Sequence, residues 1–152
     1  MKNKSIVTLV FILLMAGSIK SQALKTGASL NHIAVYVSDL KISTDFYRQI
    51  IGLDTMPEPF HDGRHTWFSV GPKIMLHLIQ GASGKTKHDK NSHLCFTVSS
   101  VGDFIHNLDK HHIKFESWEG KKQTYTVRVD GVKQIYFTDP DGYWIEVNDA
   151  RE

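Results

Sequence analysis

A duplication constrains this chain more than any other feature. Asn31-His32-Ile33-Ala34-Val35-Tyr36-Val37-Ser38 is echoed 61 residues later by Ser92-His93-Leu94-Cys95-Phe96-Thr97-Val98-Ser99. Phe68-Ser69-Val70 through Leu76-His77-Leu78 is echoed 69 residues later by Phe137-Thr138-Asp139 through Ile145-Glu146-Val147. Each histidine-led run is rich in β-branched and aromatic residues and alternates with period two, so each reads as a strand. A helix signal follows each. Ser38 and Asp39 can cap a helix to about Ile51, with Ile42, Phe46, Tyr47 and Ile50 as its apolar stripe and Gly52 as its end. Ser99 or Ser100 can cap a second, in which Val101, Phe104, Ile105 and Leu108 recur at helical spacing. Asp62-Gly63 and Asp130-Gly131 suggest tight two-residue hairpins, and Asp139-Pro140-Asp141-Gly142 a turn before the last strand.

Each half therefore reads as strand, helix, three strands. The fold class expected is α+β: two βαβββ modules, about 30–80 and about 92–149, in one domain around a cleft or half-barrel. Residues 81–91 are polar, contain two glycines, and read as a flexible linker. One helix covers one face of a four-stranded sheet and leaves the other free, and a cleft there is the default ligand site.

Residues 1–23 stand apart. Lys2 and Lys4 precede an apolar run from Ile6 to Ala16 broken only by Thr8, and Ser21-Gln22-Ala23 has small residues at a cleavage position. This is the layout of a signal peptide. The run is shorter than the roughly 18–20 residues of a membrane span. Cleavage near Ala23 would leave 24–152 as the mature domain, exported to the periplasm or secreted, with no stable membrane association; an uncleaved anchor is the alternative. The whole chain has a formal charge of +2, but residues 1–23 hold Lys2, Lys4 and Lys20 and no acid, so the remainder carries −1. Without a basic cluster, nucleic-acid binding is not expected. The single cysteine, Cys95, excludes an intrachain disulfide and suits export.

The chain holds nine histidines. The repeat pairs His32 with His93, and His77 with Glu146. On the first strand His32, Ala34 and Tyr36 share a face, while Ile33, Val35 and Val37 share the other and should lie under the helix. The same parity sends His93, Cys95 and Thr97 to the open face, and His77 and Glu146 oppose apolar neighbours. Three imidazoles and a carboxylate in a cleft suit a divalent transition metal (Zn²⁺, Ni²⁺, Co²⁺ or Fe²⁺) better than Ca²⁺ or Mg²⁺. A hydrogen-bonded His–Glu cluster without metal is the alternative. Tyr36, Trp67, Met75, Cys95 and Trp144 are candidates for a substrate pocket, or for core packing. Cys95 reads either as a small buried residue or as a soft neighbour of the metal. His61 and His65 flank a turn, His88 sits in the linker, and His106, His111 and His112 should be solvent-exposed.

Several of these motifs together resemble the vicinal-oxygen-chelate superfamily, the glyoxalase/bleomycin-resistance/ring-cleavage-dioxygenase family. They are His32 through Leu40 with Asp45-Phe46-Tyr47 and Ile51-Gly52-Leu53, Ser92 through Phe96, and Asp139-Pro140-Asp141-Gly142-Tyr143-Trp144-Ile145-Glu146. The resemblance implies paired βαβββ modules and a homodimer whose sites are often completed by both chains. It implies, for a glyoxalase I-like member, one divalent metal on His32, His77, His93 and Glu146, although the position of His77 is usually glutamate in that enzyme. Four ligands leave two positions for a bidentate small-molecule substrate. The metal would stabilise an enediolate as Lewis acid, and Glu146 would act as the catalytic proton shuttle, which is lyase or isomerase chemistry. Ring-cleaving dioxygenases and thiol transferases of the superfamily use two histidines and one carboxylate, and some relatives only bind drugs. Export argues against the cytoplasmic thiol conjugate as substrate.

Overall fold

The computed structural model describes residues 27–151; the expected signal peptide and its cleavage site lie outside them. The order is β1 (His32–Val37), α1 (Leu40–Phe46) continued by a π-helical turn (Tyr47–Ile51), β2 (Thr55–Met56), β3 (His65–Gly71) and β4 (Ile74–Gln80). The second half repeats it with β5 (His93–Thr97), α2 (Val101–Lys110), β6 (Thr126–Val127), β7 (Lys133–Thr138) and β8 (Trp144–Asn148). The strands form two four-stranded sheets, ordered β1-β4-β3-β2 and β5-β8-β7-β6. The first strand of each unit runs parallel to the last, and the other pairings are antiparallel. Among the described residues no helix is long and apolar enough to cross a membrane.

The helix signals take effect as local chemistry. Asp39 caps α1 by accepting from the Ile42 amide, and Ser100 caps α2 by accepting from the Asp103 amide. Gly52 ends the π-helical turn in a left-handed conformation (φ 84°). The α1 stripe differs from the expected one. Ile42 is exposed and Ser43 is fully buried in its stead, whereas Tyr47 and Ile50 are buried as expected. The hairpins also differ, since residues 57–64 and 128–132 make longer connections than two-residue turns.

One core serves both halves. Val35, Val37, Phe68, Leu76 and Leu78 on the inner face of the first sheet join Ile135, Phe137, Ile145 and Val147 on that of the second. The Phe46 ring of α1 lies 6.3 Å from the Phe137 ring of β7. The Asp139-Pro140-Asp141-Gly142 turn, expected only as a turn, is a clasp between the halves. Ser38 donates to Asp141 Oδ1 through both its amide and its hydroxyl, at 2.7 Å each, and Ser43 Oγ donates to Oδ2 at 2.7 Å. Tyr47 donates its hydroxyl to Asp139 Oδ2 at 2.9 Å. Ser43 therefore displaces Ile42 from the stripe because its hydroxyl satisfies a buried carboxylate, which would be costly unpaired.

The linker is not free. The Thr86 amide donates to the Asp141 carbonyl at 2.9 Å. Gly142 has φ +96°, and a Cβ there would meet the Thr86 carbonyl oxygen at 2.0 Å. His88, expected to be an unremarkable linker residue, stacks on Tyr143 with ring centroids 3.9 Å apart.

Candidate metal centre

Register sorts the site residues before any side chain is considered. Paired residues on adjacent strands point to one side of a sheet. His32 pairs with Met75, Ala34 with His77, and Trp67 with His77, so His32, Trp67, Met75, His77 and Tyr36 share the face away from the helices. On the second sheet His93 pairs with Trp144, and Cys95 and Tyr136 with Glu146, so these share the equivalent face.

The four expected donors stand as two pairs, and among the described residues no three His, Cys, Asp or Glu side chains are close enough to share an ion. On the first sheet His77 lies between two rings. The His32 ring is 4.2 Å away and within 8° of parallel, and the Trp67 ring is 4.0 Å away and within 3°. A metal lies close to the plane of an imidazole that binds it. Stacked parallel rings share no such point, so His32 and His77 cannot hold one ion together in this conformation. The His77 Nε2 and Trp67 Nε1 atoms are buried without partners. Burial, with smaller contributions from His32 and His65, holds the His77 pKa below its usual value, so the ring is neutral.

On the second sheet the donors converge. His93 Nε2 lies 3.2 Å from Glu146 Oε2. Its other nitrogen, Nδ1, is 2.7 Å from the Lys90 carbonyl oxygen. A carbonyl can only accept, so Nδ1 carries the proton. Nε2 then faces a carboxylate oxygen. Two lone pairs at this distance repel unless a cation, a proton or a metal, sits between them. Glu146 is held in place by Tyr136, whose hydroxyl donates to Oε2 at 2.7 Å, and by Asn148, whose amide donates to Oε1 at 2.9 Å. Burial pushes the Glu146 carboxyl up, but these donors and Cys95 outweigh it and keep it below the usual carboxylate range. A ligand fixed in orientation, ionised and backed by outer hydrogen bonds is what metal sites require. His93 and Glu146 fit a borderline divalent ion on these grounds.

The pocket candidates divide between the sheets. Tyr36 is exposed, and its hydroxyl lies where a side chain at Gly81 would stand. Trp67 and Met75 are half-buried on the first sheet. Trp144 donates Nε1–H to the His88 carbonyl at 3.1 Å and borders a cavity of about 450 Å³ shared with Phe115, Glu116 and Tyr136. Cys95 is exposed, not buried. Shielding of its sulfur, with the Glu146 carboxylate beside it, pushes the thiol up to about 12, so it is not a thiolate at neutral pH. His106, His111 and His112 are exposed as expected. His65 bonds to Asp62 at 2.9 Å and packs its ring 4.7 Å from Phe60, at the end of the aromatic stack. Tyr136, Asn148 and Lys90 were not singled out from sequence. Strand parity could have found Asn148, two residues beyond Glu146, and the register of β7 could have found Tyr136.

Paired βαβββ units that share a core and present imidazole and carboxylate donors on their open faces define a duplicated α+β module protein. The chain belongs to the Glyoxalase/Bleomycin resistance protein/Dioxygenase superfamily, whose family model matches residues 29–147. It is 30% identical over 123 residues to metallothiol transferase FosB of Staphylococcus haemolyticus strain JCSC1435, across 78% of this chain and 81% of that protein. It is 26% identical over 125 residues to Glyoxylase I 4 of Arabidopsis thaliana, across 78% of this chain and 69% of that protein. The solved structure of oxidase ChaP-H1 shares the fold, with a TM-score of 0.66 and 22% identity over 82% of this chain and 98% of that one.

Proposed function

We propose that the protein is a metal-dependent enzyme of this superfamily that acts on a small vicinal-oxygen substrate. The observation that carries this reading is His93 Nε2 facing Glu146 Oε2 at 3.2 Å, an arrangement that a metal ion, or a proton in its place, completes. His93 and Glu146 would hold a divalent transition ion (Zn²⁺, Ni²⁺, Co²⁺ or Fe²⁺), with His32 and, once it leaves the ring stack, His77 supplied by a second copy of the chain in a homodimer. Such an ion supplies Lewis acidity toward a substrate oxygen. The chain's own residues do the rest. Tyr136 and Asn148 fix Glu146, and the aromatic faces of Trp67 and Trp144 exclude water. The reaction proposed is a glyoxalase I-like isomerisation or lyase step, with a proton moved between adjacent carbons by Glu146. Export of the mature domain belongs to the same proposal.

Thiol transfer is the second reading. It is favoured by the ring stack, which keeps His77 from joining His32 on one ion and leaves a two-histidine, one-carboxylate set. Metal analysis of the anaerobically purified protein beside a His77→Ala variant separates the two. Unchanged occupancy in the variant supports the three-donor set. Loss of metal in the variant restores the four-donor isomerase. Absence of any transition metal from the wild type ends the metal-centred proposal.

A further inference from the structure

Lys90, near the end of the linker, touches the second sheet in two separate ways. Its side chain enters an aromatic box. Nζ lies 4.7 Å from the centroid of the Trp144 ring, 5.5 Å from that of Tyr136 and 6.0 Å from that of Trp118. These distances are within range of cation–π attraction. All three ammonium protons are also placed. Nζ donates to Glu116 Oε1, to the Ser117 carbonyl at 3.3 Å and to the Trp118 carbonyl at 3.2 Å. The ammonium has no donor left for a ligand, so its work is to fasten the chain. The second contact is made by the main chain, where the Lys90 carbonyl accepts from His93 Nδ1 at 2.7 Å.

The two contacts belong to one residue, and this links them. A carbonyl three residues before His93, on a polar segment outside any strand, has no sheet ladder to hold it. A turn closed by the Ser92 amide on the Asp89 carbonyl at 3.0 Å shapes the segment, and the boxed ammonium fastens that turn to the second sheet. We infer that Lys90 is a positioning residue for His93: its caged side chain keeps its carbonyl where it fixes the imidazole as the Nδ1–H tautomer with Nε2 facing Glu146. The tautomer of a ligating histidine is set by the bond that its other nitrogen makes, and loss of such outer partners costs about 10–100-fold in metal affinity. The effect on affinity rests on the metal-centred reading above, whereas the effect on the tautomer does not.

The test uses Lys90→Met, which keeps most of the stem and removes the charge. Nitrogen-15 spectra of metal-free, histidine-labelled protein at mildly alkaline pH report the His93 tautomer. The wild type should show Nδ1 protonated throughout, and the variant a mixture that includes rings protonated on Nε2 alone. Cobalt(II) titration followed by visible absorption should show a loss of about 10-fold or more in affinity. Glu116→Gln removes the charged partner without touching the linker and should shift both readouts in the same direction by less, which covers the case of a poorly folded Lys90→Met. A fully protonated Nδ1 and unchanged cobalt affinity in both variants would overturn the inference. If the wild type binds no cobalt, the metal-centred reading fails, and the tautomer readout alone decides the role of Lys90.

Discussion

Tyr47→Phe removes one oxygen from the clasp and leaves the ring that fills the core. The phenol is fully buried, so no water replaces it, and its 2.9 Å bond ends on a carboxylate, Asp139 Oδ2. A hydrogen bond to a charged group contributes about 1.5–3 kcal/mol. At about 2 kcal/mol the folding equilibrium shifts roughly 30-fold, and the melting temperature of a domain this size falls by roughly 6–10 °C. The loss should depend on pH. Burial raises the Asp139 pKa above its ordinary 3.8, against the lowering effect of Tyr47 and the Tyr143 amide. A raised carboxyl favours folding fully below its unfolded pKa, and that contribution is lost as pH rises through the folded pKa. The phenol moderates this loss because it binds the ionised form more strongly. Thermal melts of wild type and variant across the acidic to neutral range should therefore show the widest gap above the folded pKa of Asp139, narrowing as pH falls toward 3.8. An undiminished gap in acid, or no gap at neutral pH, would refute the charge-assisted account.

Gly142→Ala should destabilise the protein by about 2 kcal/mol or more, since the residue has a positive φ and its Cβ would strike the Thr86 carbonyl. Chemical denaturation measures the cost, and limited proteolysis within 81–91 should quicken in the variant; a neutral result would show that the linker is not docked there. Mass spectrometry of cell fractions should find a mature N-terminus near Leu24 outside the cytoplasm. An intact Met1 form confined to the cytosol would dispose of export.

The faces of the strands were legible because alternation is a property of the extended backbone and needs no partner. Register confirmed that the chosen residues lie away from the helices, His32 through Ala34 and His77, and Cys95 through Glu146. Distances between donors were not legible. Equivalent positions in a repeat say which residues correspond, not which ones meet, and the structure joins them as His32 with His77 and His93 with Glu146. Ile42 misled because apolar spacing cannot anticipate a buried carboxylate arriving from 98 residues away to claim Ser43. Lys90 was hidden for a similar reason. A polar, glycine-containing segment reads as loose until its partners, here three aromatic rings and Glu116, are brought beside it.

The separation of the two donor pairs has a genetic consequence. If each centre draws His32 from one copy and His93 with Glu146 from the other, no allele owns a complete one. Two inactive alleles, one lacking His32 and one lacking Glu146, would then repair each other when co-expressed, because a mixed dimer keeps one intact centre. Random pairing would restore about a quarter of the wild-type number. A defect in either half of the chain would behave as recessive against the other, although both halves sit in one gene product.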